Sequence, residues 1–412
     1  MMMARKLSIY IHFPYCVRKC RYCDFVSFPC GGMGAGVPVL ATGAVCSASD
    51  ISAGVGITGF PLDLCDYYVR EVENYAKVDG VGGRCVTSIY FGGGTPSLMP
   101  VEWVERILDA VCRNFVVEDA AEVTLEVNPA TVNEMKVRDL REAGVNRISI
   151  GMQSLCDERL KFLGRIHSVG QALETLGWVK RYFSNISCDF IYAVPGQSLA
   201  EWQMELEDIV ALGVPHLSLY QLIVERGTPL CRQVVRGEVK PVAERVAERM
   251  FRWTNRRLKL VGCGQYEVSN YSVSGMKSRH NVNYWVGGDY LGIGVSAAGR
   301  VYDDVTGKLW QSANPKTVSG WCDMVRNGRT NLRPISKRVR AEELVIMGLR
   351  QIAGINFSEF SSNCGMDFWR VVNREKVESL VRGGLIILKN SGIRLSAKGM
   401  CLLDAILREI VV

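Results

Sequence analysis

Tyr10-Ile-His-Phe-Pro-Tyr-Cys-Val-Arg-Lys-Cys-Arg-Tyr-Cys-Asp-Phe25 carries three cysteines, Cys16, Cys20 and Cys23, spaced C-x3-C-x2-C. The run Ser8–Phe13 just before them, rich in Ile, Tyr and Phe, reads as a strand, which puts the cysteines on the loop that follows. Thiolates bind metals, and a tetrahedral zinc site or an iron–sulfur cluster ordinarily takes four protein ligands. Three thiolates around a [4Fe–4S] cluster leave one iron open to an external chelating ligand. A Cys3His zinc site completed by His12 or His280 is the competing reading, and three inert buried thiols are a further one.

Outward from this loop, short β-type runs alternate with amphipathic helical patterns. Strands are expected at Ser88–Phe91, Glu122–Val127, Arg147–Gly151, Ser187–Ala193 and His216–Ile223 as well as Ser8–Phe13. Helices are expected near Leu62–Lys77, Val101–Asn114, Val132–Glu142, Val169–Phe183 and Ala200–Leu212. The alternation implies parallel strands covered by helices. Six such strands suggest an open, partial (β/α)6 barrel, with a doubly wound sheet as the competitor. Cys16, Gly92–Thr95, Glu126–Pro129, Gln153 and Asp189 all fall at strand ends, which favours the barrel, whose sites are built there. The expected organisation is a barrel over 1–230 with a Gly/Ala-rich surface insertion at 31–60, a connecting region over 231–335, and a mostly helical, winged-helix-like domain over 336–412. The connecting region is expected to hold a helix Pro241–Leu260, a strand Gln265–Asn270 and a loop bearing Arg-His-Asn-Val-Asn-Tyr-Trp.

Composition narrows the class. With 412 residues and 48% hydrophobic side chains, the chain can bury a large core. A net charge of +7 is too small to point to nucleic acid, and no basic stripe interleaved with aromatics is evident. Fifteen cysteines, an odd number and mostly unpaired in spacing, argue against a disulfide framework. No strongly apolar run long enough for a membrane span is present, so the expected location is cytoplasmic, with peripheral membrane contact at most.

Phe91-Gly-Gly-Gly-Thr-Pro-Ser97 follows a strand, where glycines allow close backbone approach and present N–H and C=O groups; it lacks the Lys of a P-loop. Together with the cysteine triad and the intervening aromatic Tyr22, the chain resembles the radical S-adenosylmethionine superfamily. Within it, Tyr10–Cys16, Glu126-Val-Asn-Pro129, Gly151-Met-Gln-Ser154, Asp189–Gln197 and Arg279–Trp285 resemble the branch of oxygen-independent coproporphyrinogen III oxidases and heme chaperones of HemW type. The resemblance implies a [4Fe–4S] cluster on Cys16, Cys20 and Cys23, with S-adenosylmethionine chelating the fourth iron. It implies cofactor contacts from Gly93, Gly94 and Thr95 to the methionine portion, from Glu126 to ribose hydroxyls or the ammonium, from Gln153 to the ribose, and from Arg165 to the carboxylate. Asp189 would accept from another cofactor group, and Tyr10 and Tyr22 would pack nearby.

Two features point to the chaperones within that branch. Phe25 stands where the oxidases carry a fourth cysteine, and His280-Asn-Val-Asn-Tyr-Trp285 matches the HNxxYW motif associated with the chaperones. A neutral imidazole is a common axial ligand to heme iron, and Tyr284 and Trp285 offer flat apolar surface. His280 is therefore the expected heme contact, with Lys277 and Arg279 near the propionates; a loop whose His merely hydrogen-bonds is the other reading. The implied role is heme carriage to respiratory or storage hemoproteins, compatible with a homodimer and needing no nucleic acid. The alternative is oxidative decarboxylation of coproporphyrinogen. His12 reads as structural, and His167 and His216 as incidental.

Overall fold

The computed structural model describes residues 5–30, 63–303 and 306–412. The insertion expected at 31–60, with Cys46, lies outside the described residues.

Six parallel strands form the centre of the molecule. They are β1 (Leu7–Phe13), β2 (Cys85–Gly93), β3 (Val116–Val127), β4 (Arg147–Gln153), β5 (Asn185–Tyr192) and β6 (His216–Gln221), paired in that order. Alternation explains each one. In β1, Leu7, Ile9, Ile11 and Phe13 are fully buried and join the hydrophobic core, while Ser8, Tyr10 and His12 point to the other face. The same register recurs along the sheet. Ile148 and Ile150 flank Ser149, Ile186 and Cys188 flank Ser187, and Leu217 and Leu219 flank Ser218. One face of the sheet is thus apolar and packs on helices; the enclosed face is polar. Helices Val101–Asn114, Val169–Tyr182 and Leu199–Ala211 lie between successive strands. Ser168 and Ser198 start two of them with reciprocal capping boxes.

The sheet extends beyond the six strands. Asp289–Gly294 pairs parallel to the outer side of β1, making a seventh parallel strand, and antiparallel strands continue from it to Leu332–Ile335. At the other edge Asn270–Ser272 pairs antiparallel to β6. Strands from residues 231–335 supply both edges of one twelve-stranded open sheet. The strand expected at Gln265–Asn270 is instead a turn between two short strands. Glu267 stops it, accepting from Ser269 N at 2.9 Å and Asn270 Nδ2 at 2.5 Å. The expected loop at Arg279–Trp285 is a short helix, capped by Ser278.

The C-terminal part has helices Lys337–Gly348, Phe357–Cys364 and Arg374–Arg382. A hairpin of Ile386–Lys389 and Gly392–Leu395 follows, then a last helix Leu403–Ile410. None of the described helices is long and apolar enough to cross a membrane.

Candidate cluster and cofactor site

The cysteine loop is tied to the strand ends by backbone bonds. Gly94 N donates to Phe13 O at 2.7 Å, and Thr95 N to Tyr15 O at 2.8 Å. The glycine run serves this approach. A Cβ on Gly93, whose φ is +110°, would lie 2.7 Å from the His12 ring, and one on Gly94 would lie 2.5 Å from Tyr15 O. Two of the N–H groups expected to face a ligand are therefore spent on the cluster loop. Gly93 N instead donates to Glu126. His12 is a strut, as the sequence suggests: its Nε2 meets Val26 O at 2.9 Å and its Nδ1 meets the Tyr10 hydroxyl at 3.1 Å.

Cys16, Cys20 and Cys23 are all partly exposed on this loop. Thr95 Oγ1 donates to Cys16 Sγ at 3.4 Å, and Arg165 Nη1 to Cys20 Sγ at 3.7 Å. Burial pushes the Cys23 thiol up to about 11 and the Cys16 thiol above its ordinary value. Among the described residues, no three His, Cys, Asp or Glu side chains converge closely enough to share one metal ion.

The cofactor candidates come together above the polar face of the sheet. Glu126 ends β3; Tyr90 Oη donates to it at 2.9 Å. Burial, with Asp189 nearby adding to it, raises the Glu126 carboxyl to about 7, although Tyr90 and Gly93 N lower it in part. Asp189 accepts from Ser149 Oγ at 3.0 and 3.1 Å and from Ser187 Oγ at 3.3 Å; burial raises it, against the pull of these serines, Ser218 and Arg147. Gln153 adopts φ +67°, a strained conformation for a side chain of this kind, and its Nε2 turns back over Gly151. Arg165 donates to Gly151 O at 3.0 Å and leaves its buried Nε without a partner. Tyr22 packs with Leu163, Ile191 and Val194 beside Arg165. Tyr10 lies 6.2 Å from the Tyr90 ring, near parallel to it.

These groups fit the ligand set that the cluster and S-adenosylmethionine require. There are three thiolates, two buried carboxylates able to accept from an ammonium or hydroxyls, and a guanidinium with a spare donor for a carboxylate. When bound, the pair supplies one-electron reductive chemistry. The chain's own part would be to hold the loop and orient the cofactor's polar groups.

The HNxxYW segment sits beneath, at the opposite end of the strands. Glu122 Oε1 and Oε2 accept from the backbone N–H of His280 and Arg279, both at 3.1 Å. His280 is 1% exposed; its Nδ1 meets Ser88 Oγ at 3.0 Å and its Nε2 meets the Tyr284 hydroxyl at 2.8 Å. It stacks on Tyr90 at 5.0 Å, and burial, with Arg147 adding to it, drops its pKa to about 3. Neither nitrogen is free for iron, so the geometry weighs against the axial role expected of it. Arg279 is likewise committed, to Glu118 at 2.8 Å and to Ala120 O.

The sequence reading misses several groups. Tyr90 links His280 to Glu126. Arg147, fully buried, stands 3.9 Å from Glu122 with Nε and Nη2 unpartnered. His216 bonds Ser187 Oγ at 2.8 Å and the Tyr266 hydroxyl at 2.9 Å, so it is an interior strut rather than incidental. The legible signal was the serine at the same inward position of three consecutive strands, 149, 187 and 218.

Comparison with known proteins agrees with this geometry. Residues 10–209 match the radical SAM superfamily model and residues 335–402 the HemN C-terminal domain model. The chain is 34% identical over 99% of its length, and 87% of the relative's, to a zebrafish (Danio rerio) protein named Radical S-adenosyl methionine domain-containing protein 1, mitochondrial. It is 36% identical to Escherichia coli Heme chaperone HemW over 72% of this chain and 70% of that protein. Among solved structures, Escherichia coli coproporphyrinogen III oxidase, HemN, superposes with a TM-score of 0.74 at 19% identity, covering 98% of this chain and 89% of that one. The fold and its site define a radical S-adenosylmethionine protein. More narrowly, the chain belongs to the HemW-type heme chaperone branch of the oxygen-independent coproporphyrinogen III oxidase-like family. Membership implies the [4Fe–4S] cluster and S-adenosylmethionine.

Proposed function

We propose that this protein is a heme chaperone: it binds heme and delivers it to hemoproteins, respiratory or storage, while carrying a cluster and S-adenosylmethionine. The observation that carries the reading is the breadth of its likeness to proteins named Heme chaperone HemW. Besides the Escherichia coli protein, the Lactococcus lactis one is 29% identical over 97% of this chain. Phe25 supports it. At the place where the resembling oxidases carry a fourth cysteine, this chain exposes 60% of an aromatic ring that binds no metal. The cluster residues are Cys16, Cys20 and Cys23; the cofactor contacts are Tyr10, Tyr22, Gly93, Gly94, Thr95, Glu126, Gln153, Arg165 and Asp189. The proposed compartment is cytoplasmic, since thiols so numerous persist where conditions are reducing.

The likeness of fold to HemN keeps coproporphyrinogen oxidation as the second reading. One experiment separates them. The anaerobically reconstituted protein is given reductant, S-adenosylmethionine and coproporphyrinogen, and in parallel is loaded with hemin and mixed with an apo-hemoprotein. Transfer of heme with no catalytic yield of protoporphyrin is expected. Catalytic protoporphyrin formation would overturn the proposal.

A further inference from the structure

A cleft of about 1010 Å³ opens between the edge of the barrel sheet and the C-terminal domain. Its volume is at the upper end of small-molecule sites. Tyr266 and Trp285 supply aromatic surface on the barrel side, and Ile352, Ile355 and Ile393 an apolar wall on the other. Trp285 is the last residue of the HNxxYW helix. Arg350 covers one face of its ring, 4.8 Å from the centroid, and its buried Nε1 has no partner.

Charge marks the cleft as a site for an anion. Lys277 reaches in from the barrel edge, its Nζ 5.7 Å from the Tyr266 ring. Lys389 and Arg394 enter from the hairpin of the C-terminal domain. Three cations thus face a single carboxylate in the lining, Glu359. They come from two opposite walls, as a flat molecule with charged groups along its edge requires. The lining contains no His, Cys or Met, and its one phenol, Tyr266, is already bonded to His216.

We infer that this cleft holds the porphyrin, gripping the ring faces and the carboxylates while giving the iron no strong ligand. The inference rests on the heme-carrier reading and deepens it. It gives the cargo a place that the buried His280 does not. A macrocycle held without an iron bond also leaves readily to an acceptor that supplies one. The recognised class is therefore a flat, dianionic tetrapyrrole, with or without its metal.

The test titrates hemin and metal-free protoporphyrin IX into the wild-type protein and two variants, reading the Soret band for one and fluorescence for the other. Lys277→Glu/Lys389→Glu reverses two exposed charges. Val286→Trp fills the cleft from a position that is 46% exposed. Both are placed to leave the fold intact, which a thermal melt checks. Wild type should bind the two ligands within about threefold of one another, and each variant should lose at least tenfold in affinity for both. Hemin binding that is undiminished in both variants, or metal-free protoporphyrin failing where hemin binds, would overturn the cleft while leaving the carrier reading intact. Hemin failing to bind the wild type at all would remove the carrier reading itself.

Discussion

Replacing His280 by alanine separates a buried strut from an iron ligand. The imidazole makes two hydrogen bonds, to Ser88 and Tyr284, and stacks on Tyr90. Each bond contributes about 1 kcal/mol, and the ring contact a similar amount. Ser88 keeps a partner in Ser8 at 2.7 Å. The Tyr284 hydroxyl is left buried and unpaired, costing about 1 kcal/mol or more. The expected loss is thus about 3–4 kcal/mol at pH 7.5, read from the urea midpoint of the full chain. Acid should shrink it. The folded-state pKa, about 3, lies below the ordinary 6.5, so the unfolded chain binds the proton first and the histidine's contribution falls as pH drops below 6.5. By pH 5 that amounts to about 2 kcal/mol, leaving a difference of about 1–2 kcal/mol between His280→Ala and wild type. The reasoning is refuted if stability changes by less than about 1 kcal/mol while the heme Soret band is lost, because the ring would then stand free for iron.

Other outcomes follow from the same geometry. Gly94→Ala should cut the iron retained after anaerobic reconstitution severalfold, because its Cβ would meet Tyr15 O at 2.5 Å and push the cysteine loop away; unchanged iron content would contradict this. Glu126→Gln should flatten the pH dependence of the ligand-free protein. The carboxyl titrates near 7 when folded and near 4.5 when unfolded, so wild-type stability falls by up to about 3 kcal/mol from this group as pH rises from 4.5 to 7, and denaturation of the glutamine variant at pH 5 and pH 8 checks it. Thr95→Val removes the O–H···S bond to Cys16, and electrochemistry of the loaded protein should show a potential lower by about tens of millivolts, since hydrogen bonds to cluster sulfurs raise it.

The barrel is legible in the sequence where local rules and tertiary packing agree. The helix Val101–Asn114 can be read to its ends because Pro100 fixes its start and its apolar stripe meets the core. The cysteine loop and the ends of β2, β3 and β4, at Gly93, Glu126 and Gln153, are equally plain, since their chemistry is carried by residue type and spacing; Asp189, expected at a strand end, lies inside β5 instead. The seventh parallel strand is not. Asp-Tyr-Leu-Gly-Ile-Gly looks weak because two glycines interrupt it, yet a Cβ at Gly292 would stand 2.2 Å from Ala298 O, so the glycine answers a close backbone approach. The helix at Arg279–Trp285 is hidden for a different reason. Asn, His, Val, Tyr and Trp are poor helix formers, and the local cap Ser278 is joined by Glu122, more than 150 residues away, which accepts from the helix's first N–H groups. The role of His280 fails to show for the same cause: a motif displays which residues are present, while burial depends on partners distant in the chain.

On the proposed reading, Cys16, Cys20 and Cys23 hold a cluster whose fourth iron takes S-adenosylmethionine. Purified and reconstituted without air, the protein should hold about four irons and four sulfides per chain, and its reduced paramagnetic spectrum should shift when S-adenosylmethionine is added. Cys16→Ala, Cys20→Ala and Cys23→Ala should each abolish both. Zinc in place of iron, or a spectrum indifferent to the cofactor, would contradict the assignment.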